Sequence, residues 1–272
     1  MVAIPQTDVA PRHEAPPVRT IGPADLRASL ADGYRDFLAK RGDMLFAGVF
    51  YPVIGFATAA FTLGTSTLYL LFPLLAGLSL LGPVVATGFY ELARRREAGL
   101  EAGWSHFFDI YRSPRFEGIA MVGAGLFVVF LAWMLIAAAI WTAFMGLEPP
   151  ASIGAMLREV FLTERGIAMA ITGCAVGFGF AVLVLVTTVV ALPMLVDRDV
   201  SPGEAVAASI AATRRNPRMV ARWGLMVAVL LVLGAIPLLI GLAAVLPVLG
   251  YATWHLYTRL IDRDALERHA DG

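Results

Sequence analysis

The chain of 272 residues is 58% hydrophobic and 15% charged, with a mean hydropathy of +0.75, whereas soluble domains run nearer about half apolar and about a quarter charged. That composition excludes an ordinary soluble enzyme, because the surplus apolar surface would stand open to water in patches no monomer tolerates. Lysine plus arginine and aspartate plus glutamate both number 21, so no nucleic-acid partner is expected. The single cysteine, Cys174, excludes an internal disulfide and a cysteine-based zinc site.

Residues 1–21 scatter Pro5, Pro11, Pro16 and Pro17 among charges with no apolar run, which predicts a disordered tail and no signal peptide. Gly22-Pro23-Ala24-Asp25 then has the form of a helix start, with proline at the first helical position. Leu26, Leu30, Tyr34 and Phe37 follow at helical spacing, predicting an amphipathic helix in the headgroup region. Met44–Tyr90 is 47 residues without a charge or a histidine. As a helix it would be about 70 Å long, more than twice the hydrocarbon core. It must fold back, and its one polar cluster, Gly64-Thr65-Ser66-Thr67, predicts spans near 45–63 and 69–92.

An aromatic stripe of Leu100, Trp104, Phe107, Phe108 and Tyr111 predicts a second interfacial helix. Gly118–Leu147 and Gly166–Val196, 30 and 31 residues free of charge, each hold one span, near 119–144 and 168–195. Between them Ile153, Met156, Leu157, Val160 and Phe161 predict a short amphipathic helix on the other side. Gly173 and Gly177 form a GxxxG in the fourth span and are assigned to helix packing. Ser201-Pro202-Gly203-Glu204 is a capping box with proline at the first helical position. The last charge-free stretch, Trp223–Trp254, carries Pro237 and Gly241 at its centre, predicting spans near 220–237 and 240–259, or one long kinked helix and five spans.

Charge asymmetry separates six spans from five. With six spans and both termini on one side, 19 of the 21 basic residues fall on that side, and only Arg158 and Arg165 fall opposite. Five spans would divide them 16 to 5. The positive-inside rule selects six, with N- and C-termini cytoplasmic. The expected fold is therefore an all-α, polytopic membrane helical bundle over residues 22–262, with six transmembrane helices, short amphipathic cytoplasmic helices and a cytoplasmic tail over 263–272.

The inner segments share a form. Pro114 and Pro217 each lie thirteen residues after an acid, Glu101 and Glu204, and the returning spans each hold a proline, Pro83, Pro193 and Pro247. Three helix–hairpin repeats would produce this pattern, and so would independent interfacial helices that each need a cap. The three prolines are assigned to helix packing, where neighbouring helices satisfy the freed carbonyls.

Ionisable groups inside a bilayer are candidates for function. Glu91, near the inner end of the second span, can pair with Arg94 or Arg95 at i+3 or i+4. Tyr251 and His255 share a face of the sixth span, and Trp254 lies beside them. These four, Tyr251, Trp254, His255 and Glu91, are the candidate ligand-binding residues; an aromatic belt and an interfacial ion pair account for the same residues without a ligand. The sequence carries no Walker A, dinucleotide loop, HExxH or GxSxG pattern, so no catalytic residue, cofactor or metal site is assigned.

Three stretches carry a family likeness: Leu81-Gly82-Pro83 leading to Glu91-Leu92-Ala93-Arg94-Arg95, Leu192-Pro193-Met194-Leu195-Val196-Asp197-Arg198, and Val245-Leu246-Pro247 through Trp254-His255-Leu256-Tyr257. From about residue 40 to 261 the chain resembles a family of uncharacterised bacterial integral membrane proteins, some of whose members carry the label putative cytochrome c oxidase. Members usually have histidine where this chain has Tyr251. The resemblance implies a bacterial inner membrane and no established activity. An oxidase core needs several intramembrane histidines, and of His13, His106, His255 and His269 only His255 falls within a span. The expected function is a non-catalytic membrane scaffold or accessory protein that binds lipid or a membrane partner such as a respiratory complex. A small-solute or lipid transporter and a haem- or quinone-binding respiratory accessory protein are the alternatives.

Overall fold

The computed structural model describes residues 17–39, 49, 53–55, 57, 60, 68–148, 150–237 and 239–265. The predicted first span, near 45–63, lies almost wholly outside the described residues, as does the tail over 1–16. The described chain is helical, in the order α1 (Pro23–Ala39), α2 (Leu71–Leu80), α3 (Gly82–Glu97), a 3₁₀ segment (Trp104–Arg112), α4 (Phe116–Met145), α5 (Ile153–Leu162), α6 (Glu164–Thr188), α7 (Ala191–Asp197), α8 (Pro202–Arg215), α9 (Pro217–Ala235) and α10 (Leu242–Leu260).

Two of the sequence starts are realised. In the capping box of α8 the Glu204 amide donates to Ser201 Oγ at 3.2 Å and the Ser201 amide to Glu204 Oε2 at 2.9 Å. At the head of α1 the Gly22 amide donates to Asp25 Oδ2 at 2.8 Å. The inner segment that holds Glu101 has no such helix start: Gly99 takes φ +68 in a turn after α3, and the chain runs on to the 3₁₀ segment. At three residues per turn, positions i and i+3 eclipse. That geometry buries Phe107 and Ile110 together and leaves Phe108 and Tyr111 together facing out. The threefold repeat is therefore not shown, since only two inner segments share the helical form.

Among the described residues, four helical stretches are long and apolar enough to cross a membrane: Leu71–Glu97, Phe116–Met145, Glu164–Asp197 and Pro217–Ala235. In each, only 17–33% of the most apolar window is buried by protein, so their side chains need an apolar surrounding that water cannot provide. The predicted sixth span, 240–259, is not among them. Its helix α10 buries Leu249, Tyr251, Ala252, Trp254, Leu256, Tyr257 and Leu260, and carries His255 and Arg259. A helix covered by protein needs less hydropathy than one facing lipid, which is why α10 falls below its neighbours.

Two of the returning spans break beside their prolines. The chain turns at Leu81 before Pro83 and at Val189–Val190 before Pro193. Beyond each break the helix enters the core, burying Thr87–Ala93 in α3 and Ala191–Val196 in α7. The second break is satisfied by a neighbour: the Val190 amide donates to Ser209 Oγ at 3.2 Å, and that hydroxyl donates to the Val186 carbonyl at 2.8 Å. Pro247 lies inside α10.

Nearer the middle of the spans, Trp133 of α4 is the hub. Its indole Nε1 donates to the Pro73 carbonyl at 2.8 Å, and its ring meets Phe180 edge-on at 5.8 Å. A Cβ on Gly177 would come within 3.1 Å of that indole, whereas one on Gly173 meets nothing within 4 Å. Among the described residues, only half of the GxxxG therefore packs within the chain. Gly177→Leu is expected to lower stability by about 1–3 kcal/mol through overpacking, and Gly173→Leu to stay within about 0.5 kcal/mol, both read from thermal unfolding in detergent.

Candidate functional site

The arginine-rich ends of the helices close into a polar collar around the densest part of the core. α1 was expected to lay Leu26, Leu30, Tyr34 and Phe37 on the membrane surface. Instead it packs on α10 through Leu26, Ser29, Gly33 and Phe37, while Tyr34 stays 52% exposed. The seam is set by small residues, since a Cβ on Gly33 would lie 2.5 Å from the Ala252 amide nitrogen. Close backbone approach of this kind needs glycine.

That approach brings charged groups of α1 against α10 and α3. His255 and Asp36 share a hydrogen bond, Nε2 to Oδ2, of 2.7 Å, and Arg96 Nε reaches the other Asp36 oxygen at 3.0 Å. Arg259 pairs with Asp32, which also holds Arg35, and its Nη1 donates to the His255 carbonyl at 2.9 Å. Burial alone would raise the Asp32 carboxyl, but the hydrogen bond and charge of Arg259 outweigh it, with smaller contributions from His255 and Arg35, so the carboxyl lies below its ordinary value.

The predicted tail over 1–21 ends sooner than composition suggests. Val18 bridges Ile261, the Arg19 amide donates to the Leu260 carbonyl at 2.7 Å, and Arg19 pairs with Asp262 at 2.9 Å. Asn216, at the elbow between α8 and α9, accepts from the Ile21 amide at 2.9 Å and donates to the Arg19 carbonyl at 3.0 Å. A side chain with both a donor and an acceptor can close a strand end in this way, as a hydrophobic or charged residue could not. The predicted tail over 263–272 likewise begins later, because Arg263 pairs with Glu97 and lies 3.7 Å from Asp197.

The four candidate ligand residues all fall within this region, and each meets a protein partner. Glu91, 5% exposed, takes both oxygens to Arg94 at 2.7 and 2.8 Å, the i+3 pairing its spacing predicts. Trp254 is fully buried and its Nε1 donates to Glu97 Oε2 at 3.0 Å. Tyr251, 1% exposed, turns its ring toward Phe89, with centroids 6.4 Å apart. His255 instead reaches across to α1, so the two residues expected to share a ligand are engaged on different neighbours. Beside them Tyr257 donates to Asp197 Oδ2 at 2.8 Å. Among the described residues no group of three or more His, Cys, Asp or Glu is arranged to hold a metal ion.

The arrangement joins α1, α3, α7 and α10 through paired charges around a buried aromatic cluster. Sequence reading missed the acids of the collar: Asp32, Asp36, Glu97 and Asp197 were visible, but the positive charges alone were counted, because sidedness depends on them. Acid is expected to loosen the collar. With the folded Asp32 value below the unfolded one of about 3.9, its contribution is complete above that pH and is lost as pH falls through the folded value. Thermal melts between about pH 5 and about pH 3 are expected to show a flatter acid limb for Asp32→Asn than for the wild type.

Apolar helices without protein cover, gathered at one end by a charged collar, define a multi-pass integral membrane protein. Residues 71–197 match the model of a family described as predicted integral membrane protein (DUF2189), a family of unknown function. The matched region runs from α2 to the end of α7 and so contains both proline breaks. No curated protein and no solved structure shows a significant match to the chain.

Proposed function

We propose that the chain crosses a bacterial inner membrane six times with both termini in the cytoplasm, and that it serves as a non-catalytic scaffold or accessory protein for a membrane partner or lipid. The division of the molecule carries this reading. Polar side chains are tied to one another at the collar, while α4, α6 and α9 leave open apolar faces along their length, including Leu131, Leu135, Ile171, Phe178, Val229 and Ile236. Faces open to lipid are equally open to helices of another membrane protein. The collar fixes the spacing of those faces and so makes a rigid platform. The 19-to-2 distribution of basic residues supports the cytoplasmic placement of the collar.

Affinity purification in mild detergent tests it. Stoichiometric co-purification with a membrane complex, a respiratory one in the narrower form of the proposal, is the expected result. A lone protein whose melting temperature responds to a small solute would replace it with transport. That second reading draws on one observation, the broken helices at Leu81 and Val189–Val190, because transporters build their sites from discontinuous helices.

A further inference from the structure

Most arginines of the collar have an acid: Arg19, Arg35, Arg94, Arg95, Arg96, Arg198, Arg259 and Arg263 all lie within 4.0 Å of a carboxylate. Arg27 and Arg222 are among those that do not. Among the described residues neither has an acidic partner, both are exposed, and they flank one groove between the start of α1 and α9. Pro23, Leu26, Leu225 and Met226 complete its walls, so the groove is apolar beneath two cationic groups.

The groove continues into an apolar track. Leu225, Val229, Val232 and Ile236 recur at helical spacing on one face of α9 and its C-terminal turn, and are 66%, 48%, 61% and 71% exposed. Arg218 and Arg222, seven and three residues before Leu225, extend the same face at its basic end. From Arg222 to Ile236 the helix rises about 21 Å, longer than the roughly 15 Å of hydrocarbon in one leaflet. A basic head joined to an apolar strip one leaflet deep matches an amphiphile with an anionic headgroup.

We propose that the groove between α1 and α9 binds an anionic phospholipid, its phosphate held by Arg27 and Arg222 and an acyl chain laid along Leu225, Val229, Val232 and Ile236. Arginine suits this role because its planar fork presents paired donors to phosphate oxygens. Two positive charges lining one groove in the headgroup layer also repel each other, and the lipid phosphate supplies a counter-charge there. The site rests on the membrane reading above and would dock the α1 side of the collar to the lipid surface.

The test uses the full chain, delipidated in detergent, with three probes: phosphatidylglycerol, phosphatidylcholine with the same acyl chains, and inorganic phosphate. Native mass spectrometry and melting shifts give the affinities. Phosphatidylglycerol is expected to bind at least tenfold tighter than phosphatidylcholine, and inorganic phosphate to produce no shift, because it lacks the chain. The double variant Arg27→Gln, Arg222→Gln is expected to weaken phosphatidylglycerol about thirtyfold, while Arg158→Gln, Arg165→Gln leaves it unchanged. Leu225→Glu changes a single, 66% exposed position and is expected to abolish binding by placing a carboxylate at the groove mouth. Equal binding of the two lipids, a shift with inorganic phosphate matching that with phosphatidylglycerol, or undiminished binding in either groove variant overturns the site. If co-purification of a membrane partner persists when the lipid arm fails, the lipid site alone is wrong and the scaffold reading stands.

Discussion

Gly33→Val is expected to release α1 from α10 and to cost more than about 3 kcal/mol, because the added atoms meet backbone that cannot rotate away. The first of them would lie 2.5 Å from the Ala252 nitrogen and 2.7 Å from its Cα and Cβ. Separation by even one ångström also lengthens the Asp36–His255 and Asp32–Arg259 contacts, so the loss extends beyond packing. Limited trypsin digestion reads the result directly: cleavage at Arg27 and Arg35 should speed up well before the spans unfold. Gly33→Ala should show the same effect at about 1–3 kcal/mol. Gly125→Ala supplies the control, since a Cβ there meets nothing within 4 Å; it should be neutral or stabilise by up to about 1 kcal/mol through helix propensity.

Trp254→Ala should destabilise by about 3–5 kcal/mol, the range for deleting a large aromatic side chain from a packed core. The residue is fully buried, meets the tilted ring of Tyr257 at 5.6 Å, and donates to Glu97 across the α3–α10 contact. Trp254→Phe separates the two contributions. Phenylalanine keeps most of the ring volume and loses the donor to a charged acceptor, so about 1.5–3 kcal/mol is expected. If Trp254→Phe is as damaging as Trp254→Ala, the hydrogen bond to Glu97 matters more than the packing. Either variant is measured by thermal or denaturant unfolding of the detergent-solubilised protein.

The apolar segments were legible in the sequence because lipid imposes a length and excludes charge. Three of the predicted spans, near 69–92, 119–144 and 168–195, coincide with helical stretches long and apolar enough to cross a membrane, and the fifth, near 220–237, corresponds to α9. The starts of α1 and α8 were legible for a different reason: they depend on residues three apart, with no tertiary information required. What escaped was the packing of the collar. Ser29 and Gly33 join Leu26 and Phe37 against α10, where Leu26, Leu30, Tyr34 and Phe37 were expected to face the headgroup region, because hydrophobic periodicity finds large residues while close helix approach selects small ones. The 3₁₀ segment escaped because its stripe of aromatics fits a period of 3.6 and of 3.0 almost equally well over nine residues.

The candidate site was legible in its residue types and not in its pairings. Glu91 with Arg94 is local and could be read from spacing. Asp36 with His255 and Trp254 with Glu97 join residues 219 and 157 positions apart, and one sequence holds no record of those distances. Asn216 was visible only as part of a basic elbow; nothing local marks it as the residue that closes on residues 19 and 21.

Sidedness is the claim on which the scaffold and the lipid groove both depend, and cysteine accessibility in sealed vesicles measures it. Cys174 would first be replaced by serine, and single cysteines placed at Ala31, Asp264 and Ala151, all exposed positions outside the predicted spans. A membrane-impermeant maleimide should label Ala31→Cys and Asp264→Cys from the same face, and Ala151→Cys only from the other. Labelling of Ala31→Cys and Asp264→Cys from opposite faces would contradict the six-span account, and labelling of all three from one face would contradict the division between a charged collar and a far end.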